Sequence, residues 1–375
     1  MKLHALTSSI PLHLYSWRST MKRTHLSFAS NAFEASNTRD AQAPAPLRRW
    51  ALRAASALAL ATGLFAAGAQ AANAAPLRIG YSDWPGWVAW QVAIDKGWFK
   101  EAGLDVKFDW FDYAASMDAY AANKLDAVLV TNGDALTMGA NGAKNVMALI
   151  TDYSNGNDMV IAKPPARKIQ DLKGKKIGVE FGVVDHLLLL DALQRAGMKE
   201  SDVTLVNAKT NETPQVLASA DVAAIAAWQP NAGEAQRAVP GARPVFTSAD
   251  EPGLIYDVLA VNPVSLAAHK ADYEKLAKVW YRVVKYIDDP ATQPDAVKIM
   301  AARVGLTPAQ YLPLLKGTKL LTLPEAQQAY VKADGFRSLY GSSKAADVFN
   351  VKYQVYKTSQ DVNAYVDPSL TSALK

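Results

Sequence analysis

The sequence predicts an α/β protein whose two similar lobes face each other across a cleft. Three observations support this prediction: strands alternate with helices, a pattern of three strands and two helices occurs twice, and the two copies have similar spacing. The second strand begins 29 residues after the first in one copy (77 to 106) and 27 residues after it in the other (176 to 203). Because alternating strands and helices form parallel βαβ units, each copy predicts one sheet flanked by helices.

The elements of the first copy follow from its hydrophobic pattern. Short apolar runs predict buried strands, and apolar residues three or four positions apart predict helices. Gly103 lies where a helix would end in the left-handed conformation that glycine adopts readily. The predicted elements are strand Leu77–Tyr81, helix Trp87–Lys96, strand Val106–Trp110, helix Ser116–Asn123 and strand Ala127–Val130.

The second copy repeats this order. The segment LQRAGMKESDV (Leu193–Val203) parallels KGWFKEAGLDV (Lys96–Val106), and each has an Ala-Gly pair shortly before the next strand. Gly197 therefore predicts the same helix end as Gly103. The predicted elements are strand Lys176–Glu180, helix Asp185–Ala196, strand Val203–Asn207, helix Glu212–Ala220 and strand Ala223–Ala227.

Proline-containing segments predict where the chain passes between the lobes. The segment AKPPARK (Ala162–Lys168) has two prolines that break both helix and strand, and DVLAVNP (Asp257–Pro263) is the expected return. We expect a leader over residues 1–74, lobe I over 75–165, lobe II over 166–256, and a return to lobe I with C-terminal helices over 257–375. These last helices are predicted at Ala271–Ile287, Pro294–Arg303, Pro308–Lys316 and Pro324–Ser338.

The first 74 residues have the pattern of a secretory signal. Arg48, Arg49 and Arg53 precede the apolar run Ala54–Ala67, and Ala69-Gln70-Ala71 supplies a site for cleavage. The general export route and the twin-arginine route both fit, since Arg48 and Arg49 are adjacent, and a later start at Met21 is an alternative. The chain has no cysteine, which excludes a lipid anchor after the signal, disulfides and thiolate chemistry.

Charge and histidine content exclude two further classes of function. The net charge of +5 comes from the leader, because residues 1–71 hold eight Lys or Arg and two acids. The rest of the chain is nearly neutral, so it has no electrostatic footprint for a nucleic acid. Only His186 and His269 follow the leader, so we expect no histidine-rich metal site and no cofactor.

Acidic and aromatic side chains cluster where the predicted strands end. In open α/β sheets, ligands bind beyond the carboxyl ends of the strands, so these side chains are candidates for a binding site in the cleft. Basic residues are missing from the same positions, which predicts an acidic, aromatic pocket. The candidates are Asp83, Trp84, Trp87, Asp112, Tyr113, Asn132, Asp134, Glu180, Asp185, Trp228 and Asp257.

Several of these residues also fit structural roles. Trp84 and Trp87 are three positions apart, so they could share the core-facing side of a helix. Asp83, Asp134 and Asp185 each precede or begin a predicted helix, where aspartate commonly caps the free N–H groups.

Three segments resemble periplasmic solute-binding proteins of the nitrate/sulfonate/taurine class. They are LRIGYSDWPGWVAWQVAIDKGWFKEAGLDV (Leu77–Val106), DLKGKKIGV (Asp171–Val179) and DVAAIAAWQPN (Asp221–Asn231). The resemblance implies a periplasmic-binding-protein-like fold of type II and two hinge crossings. It also implies a monomer in the periplasm that delivers a small solute to the permease and ATPase of an ABC transporter, without enzyme activity. The Ser82–Trp90 stretch further resembles the urea-carboxylase-associated branch, whose ligands are proposed to be urea or guanidine.

One turn departs from the pattern of this class. Relatives that carry sulfonate or nitrate tend to have Ser or Thr where the first strand of lobe II meets its helix, whereas this chain has Val183, Val184 and Asp185, with Glu180 just before. A carboxylate at a helix N-terminus competes with an anion for the same N–H groups. We therefore expect a small planar solute rich in nitrogen, guanidine before urea. A sulfonate, nitrate or taurine, or a pyrimidine precursor of thiamine, is the alternative.

Overall fold

The computed structural model describes residues 75–375. The predicted leader, with its export signal and alternative start, lies outside the described residues. Within residues 75–375, none of the helices has the length and apolar character needed to cross a membrane.

Eleven strands in the described part of the chain form two sheets. The order is β11-β4-β10-β3-β1-β2 in the first sheet and β7-β6-β8-β5-β9 in the second. The strands are β1 (Leu77–Tyr81), β2 (Val106–Trp110), β3 (Ala127–Thr131), β4 (Val146–Ser154), β5 (Asp158–Ala162), β6 (Lys176–Val179), β7 (Thr204–Asn207), β8 (Ala224–Trp228), β9 (Arg243–Thr247), β10 (Tyr256–Val261) and β11 (Thr318–Leu320).

Helices cover the sheets and form most of the C-terminal part. They are α1 (Pro85–Val88), α2 (Trp90–Asp95), α3 (Trp98–Glu101), α4 (Tyr113–Ala121), α5 (Asn132–Ala140), α6 (Val184–Arg195), α7 (Thr213–Ala218), α8 (Asn231–Ala238), α9 (Pro263–Ala268), α10 (Lys270–Asp288), α11 (Gln293–Arg303), α12 (Pro308–Lys316), α13 (Leu323–Ala329), α14 (Leu339–Lys352), α15 (Val362–Tyr365) and α16 (Ser369–Ser372).

Each sheet combines a predicted parallel unit with antiparallel strands that were not predicted. In the first sheet, β1 pairs in parallel with β2 and β3, while β10 runs antiparallel between β3 and β4. In the second sheet, β6 pairs in parallel with β7 and β8, while β5 runs antiparallel between β8 and β9. The ends of β1, β3 and β4 and the start of β10 therefore meet at one edge of the first sheet. The ends of β6 and β8 and the start of β5 meet at one edge of the second.

The chain crosses between the two sheets slightly earlier than the segments in which the crossings were predicted. Since β5 belongs to the second sheet, the chain crosses between the sheets at residues 155–157 and not at Ala162–Lys168. It returns at residues 248–255, before β10, and not at Asp257–Pro263. The prolines that suggested the first boundary, Pro164 and Pro165, follow β5 on the second sheet.

The C-terminal helices agree with prediction except at one point. The structure ends the helix predicted at Pro324–Ser338 at Ala329, and it begins α14 at Leu339. Ser338 starts this unpredicted helix, because its side chain accepts a hydrogen bond from the backbone N–H of Tyr340 at 3.2 Å.

Aromatic side chains pack the helices against the first sheet. Trp90 in α2 is fully buried, with its ring centroid 4.6 Å from that of Trp280 in α10 and 5.3 Å from that of Phe108 in β2. Phe99 in α3 stacks on the same ring at 6.0 Å. Trp90 thus belongs to the core, as its position inside a predicted helix indicates, and its ring takes no part in the cleft.

Trp90→Ala should lower the free energy of unfolding by about 3–5 kcal/mol, because it leaves a large cavity among rings that cannot close over it. Urea denaturation measures this loss. Trp110→Ala is the control, because Trp110 is 37% exposed and its ring lies against the guanidinium of Arg303 on the surface. A loss for Trp90→Ala no larger than that for Trp110→Ala would contradict the core assignment.

Candidate functional site

A narrow cavity, with about 220 Å³ of empty space that is partly open to solvent, lies where the edges of the two sheets meet. It is called the inner cavity below. Its lining comes from the turn and helix after β1, the start of α4, the end of β3 and the start of β10 on one side, and from β5, β8 and α6 on the other. None of the residues that line it is basic. The lining residues are Trp84, Trp87, Tyr113, Thr131, Asp158, Val184, Trp228, Ile255 and Asp257.

Four aromatic rings form a continuous wall of the inner cavity. The ring of Trp87 stacks on that of Tyr113 with centroids 5.2 Å apart and planes at 29°, and Trp84 meets Trp87 edge-on at 6.4 Å. Trp228, from the second sheet, meets the ring of Tyr113 edge-on at 5.2 Å. All four rings are buried. The wall therefore offers a dry aromatic surface built from both sheets.

The Pro-Gly pair before Trp87 makes room for a carboxylate. Trp84 Nε1 donates a hydrogen bond to Asp152 Oδ1 at 2.8 Å, which holds Asp152 of β4 beneath α1. A Cβ atom added at Gly86 would lie 2.2 Å from Asp152 Oδ2, so only glycine allows this close approach. Pro85 begins α1, a position where its missing N–H is tolerated.

Five aspartates are buried around the inner cavity, and together they are called the acid cluster. Several of their oxygens have no hydrogen-bond donor among the described residues: one oxygen each on Asp152, Asp158 and Asp257, and both oxygens on Asp185. None of the ion pairs in residues 75–375 involves a member of the cluster. The members are Asp134, Asp152, Asp158, Asp185 and Asp257.

Burial makes the charged form of these acids unfavourable. Loss of hydration raises the pKa of Asp134 and of Asp152 to about 6, although both accept hydrogen bonds that oppose the rise. It raises the pKa of Asp158 to about 7, with Asp152 and Asp134 adding to the effect. Burial and the neighbouring acids also raise the pKa values of Asp185 and Asp257 well above their usual range. Among residues 75–375, no ion pair supplies the cluster with a positive charge to balance it.

Asp134 holds one wall of the cavity in place. Its Oδ2 atom accepts hydrogen bonds from Tyr113 Oη at 2.5 Å and from Thr131 Oγ1 at 3.0 Å. The cap of α5 is Thr131, whose Oγ1 atom accepts from the Asp134 N–H at 3.2 Å. The carboxylate is therefore not the helix cap that the sequence allowed, and it fixes the position of the Tyr113 ring.

A second cavity, of about 540 Å³, lies outside the first and shares Tyr113 and Trp228 with it. It is called the outer cavity. Asp83 stands at its inner end and joins the two sheets, because its carboxylate accepts hydrogen bonds from Trp228 Nε1 at 3.1 Å and Asn231 Nδ2 at 2.8 Å. Asp83 does not cap α1, since Trp84 occupies the cap position.

The part of the chain that forms the two lobes and the cavities matches a known protein family. A model of the NMT1/THI5-like family matches residues 84–293, a region that includes α1, the acid cluster and both crossings between the sheets. The chain belongs to the NMT1/THI5-like family. The predicted class of fold is confirmed: two α/β lobes of the type II periplasmic-binding-protein kind, with a helical C-terminal extension.

Several relatives and structural neighbours of this NMT1/THI5-like chain are named as binding proteins, although one structural neighbour is the desulfurization enzyme DSZB. A putative binding protein from Brucella abortus is 33% identical over 168 residues, which are 44% of this chain and 52% of that protein. The match thus spans about half the length of this relative. The taurine-binding periplasmic protein of Escherichia coli is 26% identical over 247 residues, 63% of this chain and 75% of that protein. The alkanesulfonate-binding protein SsuA from Xanthomonas axonopodis pv. citri superposes with a TM-score of 0.66 at 18% identity, covering 80% of this chain and 100% of that chain.

The structure brings most of the predicted site residues to the two cavities. Trp84, Trp87, Tyr113, Trp228 and Asp257 line the inner cavity. Asp83, Asp112 and Glu180 line the outer cavity, and Asp134 and Asp185 belong to the acid cluster. Asn132 is the remaining candidate.

Two of the predicted residues differ from their expected surroundings. Asn132 is buried but serves the scaffold, because its amide donates to Ser342 Oγ at 3.0 Å in α14 and its oxygen accepts from the N–H of Tyr256 at 3.1 Å. Asp185 does not cap α6, since Val183 holds the cap position and neither oxygen of Asp185 has a partner.

Sequence reasoning missed two members of the acid cluster. Asp152 lies in β4 and Asp158 begins β5, and neither strand was predicted. A signal was present, however, because Asp152 interrupts the apolar run VMALITDYS and Asp158 directly precedes the apolar run MVIA. A lone charge in a buried strand is costly to maintain, which marks it as a candidate for function.

Gly86→Ala should lower the free energy of unfolding by about 1–3 kcal/mol, because the new methyl group displaces the Asp152 carboxylate from Trp84. Urea denaturation measures the loss. Gly133→Ala is the matched control, since its Cβ would meet only ordinary contacts, the nearest being Ala346 Cβ at 3.5 Å. Equal stability of the two variants would contradict the tight fit at Gly86.

The raised pKa of Asp158, about 7 when folded, predicts how stability changes with pH. An aspartate in the unfolded chain has a pKa of about 3.9, so the folded protein holds this proton more strongly. The resulting stabilisation is complete below about pH 4 and is lost as pH rises through about 7, at about 1.4 kcal/mol per pH unit.

The free energy of unfolding of the wild type should therefore fall relative to that of Asp158→Asn between about pH 4 and pH 7. The substituted amide stays neutral throughout this range. Urea denaturation at a series of pH values gives the difference, and a difference that stays constant would show that Asp158 titrates normally.

Proposed function

We propose that this protein is the periplasmic solute-binding component of an ABC transporter, and that its inner cavity binds a small planar cation, guanidinium before urea. The observation that carries the ligand proposal is the acid cluster, whose free oxygens lie beside four aromatic rings with no basic residue among the cavity lining. Family membership, the type II fold and the names of the relatives support the transport role.

The chemistry of guanidinium fits each part of this cavity. Its flat face stacks on an indole, which contributes about 2 kcal/mol when water is excluded. Its N–H groups point outward in one plane and pair with carboxylates in a forked geometry. Asp158 and Asp257 offer free oxygens from opposite sheets, and Trp87 and Trp228 offer rings from opposite sheets. A planar cation between them would satisfy the unbalanced charge.

The size of the cavity restricts the solute. The empty space between the lining residues is at most about 220 Å³, part of it open to solvent, so the cavity admits only a molecule of a few non-hydrogen atoms. Urea has the same shape as guanidinium and the same outward N–H groups, but it lacks the charge that balances the cluster. We therefore place guanidinium first.

An anionic solute is disfavoured in this cavity, although two of the relatives are named for taurine and for alkanesulfonate. A sulfonate would lie against buried carboxylates, and like charges at such distances repel strongly where water is excluded. The start of α6, where an anion would find free N–H groups, carries Val183, Val184 and Asp185 in place of hydroxyl side chains. We propose that the solute class differs from that of these relatives.

Binding at the junction of two sheets suits a protein that captures and delivers a solute. Micromolar affinity requires about −8 kcal/mol, which one stacking contact and one ion pair barely supply after ordering costs. Contacts from both sheets add up when the lobes close, and Asp83 joins the sheets through Trp228 and Asn231. We propose that the protein acts as a monomer without a chemical step and hands the solute to a permease and its ATPase.

Isothermal titration calorimetry of the purified mature protein tests the ligand. Guanidinium should bind with micromolar affinity or better, urea more weakly, and taurine not at all. Asp158→Asn should weaken guanidinium binding by at least about tenfold, because a hydrogen bond to a charged group contributes about 1.5–3 kcal/mol. Asp334→Asn is the control, since the Asp334 side chain is 95% exposed and should bind as the wild type does.

The same titration with a pyrimidine precursor of thiamine covers the remaining alternative. Heat from the pyrimidine or from taurine, with none from guanidinium or urea, would overturn the ligand proposal and leave the transport role in place. Equal binding of guanidinium by Asp158→Asn and by the wild type would show that Asp158 of the acid cluster does not bind the solute.

A further inference from the structure

Two members of the acid cluster face each other. Asp152 in β4 and Asp257 in β10 are paired positions on neighbouring antiparallel strands, so their side chains leave the sheet on the same face with Cβ atoms about 5 Å apart. Both side chains are buried, which leaves the two carboxyl groups as close neighbours with little water between them. Asp152 Oδ1 accepts from Trp84 Nε1, while the Oδ2 atoms of both residues have no N–H or hydroxyl donor among the described residues. Asp257 also lines the inner cavity, so the pair reaches the proposed binding site.

The groups that face this pair offer it no positive charge. Lys319 in β11, the strand next to β4, has its Nζ atom 2.7 Å from Glu325 and points to the surface. His186 in α6 accepts a hydrogen bond from the Gly182 N–H. Asp134 and Asp158 are the further acids that raise the pKa of Asp257. Asp185, Glu180 and Tyr113 lie beside these two acids, and Tyr311 lies beside Asp152.

Two carboxyl groups in contact within a buried site hold one proton between them. If both were ionised, their like charges would repel at close range with little water to screen them. One proton converts that repulsion into a hydrogen bond, in which one carboxyl group donates and the other accepts. The pair then behaves as a single acid that carries one negative charge.

We propose that binding of a cation in the inner cavity expels the proton shared by Asp152 and Asp257 into solvent. This inference rests on the proposed function in one respect, namely that the solute is a cation. The balance is simple: the pair changes from one negative charge with a proton to two negative charges facing one positive charge, and the O–H bond of the shared proton breaks. A neutral solute such as urea does not stabilise a second negative charge on the pair, so the pair would keep its proton.

This exchange makes the cavity selective for charge as well as shape. A cation replaces the proton and leaves the total charge of the site unchanged, so it avoids adding a net charge to a buried region. An anion would require the site to take up a further proton. The exchange also links affinity to pH. Because binding releases one proton, affinity falls about tenfold for each unit by which the pH drops below the apparent pKa of the pair.

Calorimetry in buffers with different enthalpies of ionisation counts the protons. We expect guanidinium to release at least about one proton per molecule bound near pH 6, and urea to release none. Asp257→Asn and, as a second variant, Asp152→Asn should lower the count for guanidinium by about one relative to the wild type, because neither retains two facing carboxyl groups; any proton released by Asp158 remains in the count. Asp334→Asn should release the same number of protons as the wild type. Guanidinium binding with a heat that is independent of the buffer would overturn the proposal.

Infrared spectroscopy of the protein without solute separates this proposal from the ligand proposal. The wild type at neutral pH should show the C=O stretching band of protonated carboxyl groups, and both Asp→Asn variants should lose the part of this band that belongs to the pair while keeping any part from Asp158 and Asp185. Addition of guanidinium to the wild type should remove the same part of the band. If guanidinium does not bind but the wild type has more of this band than both variants, the ligand assignment fails and the shared proton is supported. If the band is absent from the empty wild type, the shared proton is wrong whatever the solute.

Discussion

The described part of the chain depends on the burial of five carboxyl groups with no ion pair to a cationic side chain. Burying an unbalanced charge is among the most costly arrangements that a protein can contain. Here the cost is reduced by hydrogen bonds from Trp84, Tyr113 and Thr131, and by the raised pKa values that keep protons on the acids. The five acids lie together at the junction of the two sheets, where the proposed solute would relieve this cost.

The antiparallel strands explain how the acids reach this junction. Parallel βαβ units bring only strand ends to the edge of a sheet, whereas β10 and β5 begin at that edge and run back through the sheet. Asp257 and Asp158 are near the first residues of these strands, and Asp152 comes opposite Asp257 on β4. The same two crossings that connect the lobes therefore also deliver most of the acid cluster.

The parts of the site that lie on parallel units could be predicted from the sequence. The positions of Trp84, Trp87, Tyr113 and Trp228 follow from the rule that ligands meet the carboxyl ends of parallel strands. Asp152 and Asp158 could not be placed in this way, because an antiparallel pairing depends on contacts between segments far apart in the chain. The lobe boundary at Pro164 and Pro165 failed for the same reason, since β5 precedes these prolines.

Side-chain direction was a second limit on prediction. Asn132 lies at a strand end, as expected, yet its amide turns toward Ser342 and Ser343 in α14, a helix that the sequence pattern did not reveal. A strand-end position therefore indicates proximity to a cleft but does not determine which neighbour the side chain contacts.

The link between Asp83 and Trp228 has a consequence for unloading. Trp228 belongs to the second sheet, yet its ring completes a wall whose other rings belong to the first. If the lobes moved apart, this link would break and Trp228 would leave the wall of the inner cavity. Water would then reach the aspartates. Hydration would then favour their ionised forms without help from a bound cation. Opening would thus weaken the binding of the solute and reduce the cost of the buried charges at the same time. Release of the solute would then need no separate group to displace it.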